Sequence, residues 1–243
     1  MPSPLRYHAG HRQTVPDFDE QEHLHRYSVQ TAVVPVEWNG TRLNLLDAPG
    51  YPDFEAEVVS AAAAAESALI AVDATAGPQA GTDTAWRLAQ QAGLARGFVI
   101  THCDREQANF SAAVDALRAH FSTRVVVIAI PIGAAHDVSG IADVVTGEAS
   151  NGPGGASGRA PDDLAAALAA ATRNGALYPV MPTAATGGIG VHHLLERVID
   201  LFPSPVGRAR AIKGGVIVTS TDDRLVVHVL RPRSIRLSDA CRT

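Results

Sequence analysis

The feature that most constrains this chain is an alternation. Short apolar runs, "ALIAVDAT" at Ala68 to Thr75, "RGFVITHCD" ending at Asp104, "RVVVIAIPIG" ending at Gly133 and "LYPVMPTAA" from Leu177, are separated by segments whose apolar residues recur at helical spacing. Ala85, Leu88, Ala89 and Ala92 share one helical face, Phe110, Val114, Leu117 and Phe121 another, and Val191, Leu194, Leu195, Val198, Ile199 and Phe202 a third. Runs that short and that uniformly apolar suit strands buried on both faces, which predicts a mainly parallel sheet with helices on both sides.

An antiparallel pair is predicted ahead of this array. Thr31 to Glu37 is mostly β-branched, Asn39-Gly40 supplies the positive φ of a tight turn, and Arg42 to Asp47 returns. Phe54, Val58, Ala61, Ala62 and Ala65 then predict a helix over Asp53 to Glu66. The Gly, Ser and Pro content of Thr146 to Pro161 reads as a flexible insertion, followed by an Ala-rich helix over Asp162 to Thr172. Beyond Pro205 the pattern changes: "GGVIVTSTDDRLVVHVL" reads as a two-stranded hairpin and "RPRSIRLSDACRT" as a basic tail. The organisation expected is one domain over residues 1–205 and an extension over 206–243.

Composition removes several classes. With 46% hydrophobic and 19% charged residues the chain is globular, and a net charge of −5 gives no long-range attraction to nucleic acid, so direct DNA binding is not expected. Cys103 and Cys241 have no metal-ligand spacing. The longest apolar stretch, Val125 to Ile132, is broken by Pro131 and too short to span a bilayer, so a cytoplasmic, membrane-free protein is expected. Lys213 is the only lysine.

The stretch "LNLLDAPGYPDF", Leu43 to Phe54, carries the first chemical signal. Asp47 ends a strand and Pro49-Gly50 make a turn, an arrangement that serves either as a strand cap with its turn or as half of a phosphate and Mg²⁺ site.

Taken in order, "TAVVPVEWNGTRLNLLDAPGYPDF", "QANFSAAVDALRAHF", "IPIG" and "LLERVIDLFPSP" resemble the GTP-binding domain of elongation factor G and its relatives among translational GTPases, over about Leu5 to Pro205. The resemblance implies a Ras-like α/β fold with a mixed, mostly parallel sheet, GTP and Mg²⁺ as ligands, and the ribosome as partner. It places Asp47 at the aspartate supporting Mg²⁺, Gly50 at the glycine whose N–H meets the γ-phosphate, and Ser28 at a switch hydroxyl on Mg²⁺. Ser28 can equally be an ordinary exposed hydroxyl. Asp104 matches the aspartate that accepts from guanine, although its position after a strand also suits a helix cap. Thr183 and Ala184 resemble the turn whose backbone faces the guanine oxygen.

The departures from the family pattern are specific. Thr101 and His102 replace the Asn and Lys that brace and stack along the base, and Tyr51 stands at the position of the water-orienting histidine. No G-x-x-x-x-G-K-[ST] phosphate loop occurs, and Lys213 is followed by Gly214. The chain therefore reads as a domain that starts late, without its first strand and phosphate loop. Three outcomes stay open: a working GTPase, a non-enzymatic ribosome- or protein-binding remnant, and a fragment from a misassigned start. Should a phosphate site exist despite this, Arg12 and Arg26 are its first candidates. The first strand would lie between the strands ending at Asp47 and beginning at Ala68, and Val216 to Ser220 is the segment expected to fill that gap.

Overall fold

The computed structural model describes residues 20–25, 27–152, 161–212 and 215–220, in two compact units, Met1–Pro203 and Ser204–Thr243. In the first unit a short helix, α1 (Glu20–His25), precedes the hairpin of β1 (Ala32–Trp38) and β2 (Thr41–Asp47). Asn39 and Gly40 have φ of 47° and 72°, so both turn residues are left-handed and the register is fixed from Trp38 opposite Thr41 to Ala32 opposite Asp47. A 3₁₀ turn, Pro52–Phe54, leads into α2 (Glu55–Ala64), which starts later than the spacing predicts because Pro52 opens the tighter turn.

The central sheet has the order β3 (Ser67–Asp73), β4 (Ala95–Thr101), β9 (Tyr178–Pro182) and β5 (Val125–Val127), and every neighbouring pair is parallel. Helices α3 (Ala80–Gln91) and α4 (Phe110–His120) supply one layer: Ile70, Val72, Phe98, Ile100 and Val180 pack with Val114 and Leu117, with Trp86 and Phe121 alongside. On the other face Ala95, Ile128, Met181, Leu201 and Phe202 pack with Leu168 of α5 (Asp162–Arg173) and Leu194 and Val198 of α6 (Val191–Leu201). Residues buried on both faces explain the uniformly apolar runs, and each fully buried Phe or Ile contributes about 1.5–3 kcal/mol.

Two sequence expectations are corrected here. "RVVVIAIPIG" is not one strand: after β5 the chain leaves the parallel sheet, and β6 (Ala129–Ile132) pairs antiparallel with β7 (Gly140–Asp143), which also holds β8 (Ala149–Asn151). Val216 to Ser220 does not replace a sheet strand, because β11 (Gly215–Val218) pairs antiparallel with β10 (Ala209–Ile212) in a separate ribbon of the second unit. Pairing with the segment just before it closes a short loop, which costs less entropy than reaching a distant strand. The suggested hairpin partner and tail over 221–243 lie outside the described residues.

Among the described residues no strand pairs with the free edge of β2 or of β3, so the hairpin and the parallel sheet are separate sheets. β3 nevertheless buries Ile70 and Val72 on one face and packs Leu69 on the other, the pattern of an interior strand. No helix among the described residues is long and apolar enough to cross a membrane.

Candidate functional site

Asp73, Thr101 and Pro182 end β3, β4 and β9, so the loops after them meet at the carboxyl edge of the parallel sheet, where ligands of open α/β sheets bind. The loops after β4 and β9 are tied together. The Thr183 N–H donates to the Ile100 carbonyl at 2.7 Å, the Cys103 N–H donates to the Thr183 carbonyl at 3.2 Å, and the Ala74 N–H donates to the Thr101 carbonyl at 2.9 Å. Cys103 is buried at the centre of this knot; burial pushes its thiol up to about 11, so it packs as an inert hydrophobe.

This knot presents Asp104, which is half-buried. The helix-cap alternative is removed, since Asn109 Oδ1 accepts the Ala112 N–H at 2.9 Å and thereby caps α4. Among the described residues no hydrogen bond or ion pair occupies the Asp104 carboxylate. Thr183 and Ala184 follow β9 at the same edge, both buried. The Ala184 N–H donates to the Ile189 carbonyl at 3.0 Å, and with the Thr183 N–H on Ile100 neither backbone donor of the pair is left for a ligand in this conformation.

Sequence reading missed a network that crosses this edge. His102, left-handed at φ 58°, places Nδ1 2.9 Å from Asp73 Oδ2, Arg105 Nη1 donates to the same oxygen at 3.3 Å, and the Thr75 N–H and hydroxyl donate to Oδ1 at 2.8 and 2.6 Å. Burial raises the Asp73 pKa, but the Thr75 hydrogen bonds together with His102 outweigh it and hold the carboxyl below its ordinary value. The side chain at the base-stacking position is therefore engaged with Asp73. An aspartate ending an apolar strand was the available signal, but its partner is 29 residues away.

The Asp47 side is built differently. Asp47 is exposed at the end of β2, Pro49 is buried and Gly50 is exposed. The Gly50 carbonyl stands so close to α3 that a Cβ on Gly81 would lie 2.7 Å from it, which sets the turn against the helix that follows β3. Tyr51 is 55% exposed, and its ring packs on Tyr27 at 4.7 Å, with Phe54 and His25 on the same Tyr27 ring at 6.2 and 5.7 Å. Ser28, half-buried, lies between Tyr27 and the backbone of Val29 and Gln30, whose N–H groups donate to Glu22 Oε1 at 2.9 and 3.1 Å. Asp47 stands opposite Ala32, the first residue of β1, and Ser28 precedes that strand in the chain. Among the described residues no three His, Cys, Asp or Glu side chains cluster as a metal site, and Arg12 and Arg26 lie outside those residues.

For GTP with Mg²⁺ the fit is one-sided. Asp104 can accept from a base, but no described strand or lysine stands between β2 and β3 where the phosphates would be held, and both backbone donors of Thr183-Ala184 are engaged. The described residues supply a fit for the base side but not for the phosphates.

Residues 5–204 match the model of the elongation factor Tu GTP binding domain. The chain is 36% identical over 135 residues to the mitochondrial ribosome-releasing factor 2 of Pongo abelii, covering 56% of this chain and 17% of that one. It is 28% identical over 236 residues to elongation factor G of Mycoplasma genitalium, covering 80% and 34%. A crystal structure of a Thermus thermophilus protein superposes with a TM-score of 0.71 at 31% identity, covering 79% of this chain and 35% of that one. The chain thus spans about a third or less of the length of these relatives.

Proposed function

The chain belongs to the family of elongation factor Tu GTP-binding domains, in its elongation factor G-like part, and from that premise we propose a module of the translation machinery that engages the ribosome with weak or no GTP binding and hydrolysis. The observation that carries this reading is the asymmetry of the site. Asp104 stands ready on a tightly knotted edge, whereas no described strand lies between β2 and β3, and the sequence contains no Gly-Lys-Ser or Gly-Lys-Thr loop. Losing about four charged hydrogen bonds to phosphate costs on the order of 6–12 kcal/mol at roughly 1.5–3 each. A site that began near about 1 nM would fall to tens of micromolar or weaker.

By family position we assign Asp47 and Ser28 to Mg²⁺, Gly50 and Asp104 to GTP, and Tyr51 to the place of the water-orienting histidine; Thr183 and Ala184 stand at the guanine-facing turn, with both N–H groups engaged in this conformation. No catalytic step is assigned to them in this chain. The relatives named for ribosome release and for elongation support the ribosome as the partner here. Co-sedimentation with purified ribosomes, with and without GTP, tests the reading: pelleting independent of nucleotide is expected. Pelleting that requires GTP, together with single-turnover hydrolysis, contradicts it. An in-frame Gly-Lys-Ser or Gly-Lys-Thr codon set upstream of Met1 would favour the enzymatic reading for the longer product.

A further inference from the structure

The amino edge of the parallel sheet, opposite the candidate site, carries an unusual pair of charges. Arg96 near the start of β4 and Arg124 just before β5 flank Tyr178, the first residue of β9. The Arg96 guanidinium lies 4.2 Å from the Trp86 ring centroid and 5.0 Å from that of Tyr178, and the Arg124 guanidinium lies 5.2 Å from the Tyr178 centroid. Every acceptor they use is neutral. Arg96 Nη1 donates to Gln90 Oε1 at 3.1 Å and Nη2 to the Tyr178 hydroxyl at 3.2 Å, while Arg124 Nε donates to Ser122 Oγ at 3.3 Å and Nη1 to the Gly175 carbonyl at 2.8 Å.

Among the described residues no carboxylate lies within 4.0 Å of either group, as is also so of Arg42 and Arg173, whereas Arg87, Arg105 and Arg118 each pair with one and Arg197 with two. Both guanidinia converge on Gly175, whose φ of 73° favours glycine: Arg124 holds its carbonyl, and Arg96 Nη2 is 4.0 Å from where a Cβ would stand. Burial lowers the Arg96 pKa, and although Tyr178 opposes this, the Arg124 charge adds to it, so the two cations repel.

We propose that Arg96 and Arg124, converging on the Gly175 turn beside Tyr178, form a binding site for a phosphate-class oxyanion, separate from the candidate nucleotide site. Such an anion relieves the repulsion, and each guanidinium retains N–H donors beyond the two it uses here, in the planar array that matches phosphate oxygens. The site is independent of the nucleotide reading, because it lies at the other end of the sheet and uses none of its residues.

The test is a titration of the whole chain with inorganic phosphate, and separately with a phosphate monoester, at ionic strength held constant with chloride, following the arginine Nε–H resonances by NMR. Saturable shifts of Arg96 and Arg124 with a dissociation constant on the order of 1 mM are expected. Arg124→Gln, at an exposed position, weakens binding at least about tenfold, and Arg96→Lys, which keeps the charge but not the fork, weakens it too. Asp104→Ala leaves it unchanged. Tighter binding of the monoester identifies an esterified ligand, and binding of inorganic phosphate alone identifies the free ion. Equal shifts with chloride, no saturation below about 20 mM, or an Arg124→Gln titration like that of the parent overturns the proposal.

Discussion

The two halves of the candidate site teach by their difference. The base-side loops after β4 and β9 are stitched by backbone hydrogen bonds around buried Cys103, above Phe98, Ile100 and Val180, none of which is exposed. The Asp47 side rests on a two-stranded hairpin with Leu45 38% exposed, a helix α2 with no buried residue, and a partly exposed aromatic cluster. One family fold therefore holds a rigid half and a lightly anchored half. What separates them, among the described residues, is the unpaired edge between β2 and β3.

The largest expected contrast is in stability. Ile100→Ala, on the rigid side, should cost about 2–5 kcal/mol by denaturant unfolding, and Leu45→Ala, on the hairpin, less than about 1. Equal losses would break the comparison. Comparable is the loss from Asp143→Asn in the buried network of β7 and α6, where Asp143 Oδ2 is 2.7 Å from His193 Nε2 and 3.4 Å from Arg197 Nε; leaving such partners uncompensated costs roughly 3–5 kcal/mol.

That network also carries a pH signature. Burial raises the Asp143 pKa, but hydrogen bonds from His193 and the Thr146 N–H, with the charges of His193 and Arg197, hold it below the ordinary 3.8, as the Thr75 and His102 contacts do for Asp73. A carboxylate depressed in the folded state adds stability that is fully present above its unfolded value and is lost as pH falls through the folded one. Unfolding free energy should therefore drop as pH is lowered below about 4, and the drop should be shallower in Asp143→Asn. A parallel pH profile for that variant would show that Asp143 does not titrate with folding.

A smaller contrast sharpens the role of Asp104. Asn109→Ala removes the cap of α4 and should cost about 1 kcal/mol, while Asp104→Ala, which breaks no hydrogen bond among the described residues, should change stability by less than about 0.5. A negligible cost would agree with the ligand role proposed for Asp104. A cost of Asp104→Ala matching that of Asn109→Ala would assign it a structural task instead.

The rigid half and the hairpin were legible in the sequence for definite reasons. Buried parallel strands must be uniformly apolar, and Asn39-Gly40 encodes its turn chemically. Other features were not legible. The break between β5 and β6 falls inside a continuous apolar run, where the Ile128 N–H donates to the Val180 carbonyl before the chain turns away, and no periodicity marks it. The Asp143–His193 and Asp73–His102 pairs join residues 50 and 29 positions apart, so their charge patterns look isolated in the sequence. At the carboxyl edge, nothing in the sequence showed that Asn109 would cap α4 in place of Asp104 or that Ile189 would take the Ala184 N–H.

Isothermal titration of the purified chain with GTP and with GDP, with and without Mg²⁺, tests the central claim most directly. The one-sided site predicts no saturable heat at micromolar nucleotide, and recovery of binding when a phosphate-loop segment is joined ahead of Leu5. A dissociation constant below about 1 µM for the unmodified chain, equivalent to more than about 8 kcal/mol of binding free energy, would contradict the account and require a phosphate cradle outside the described residues.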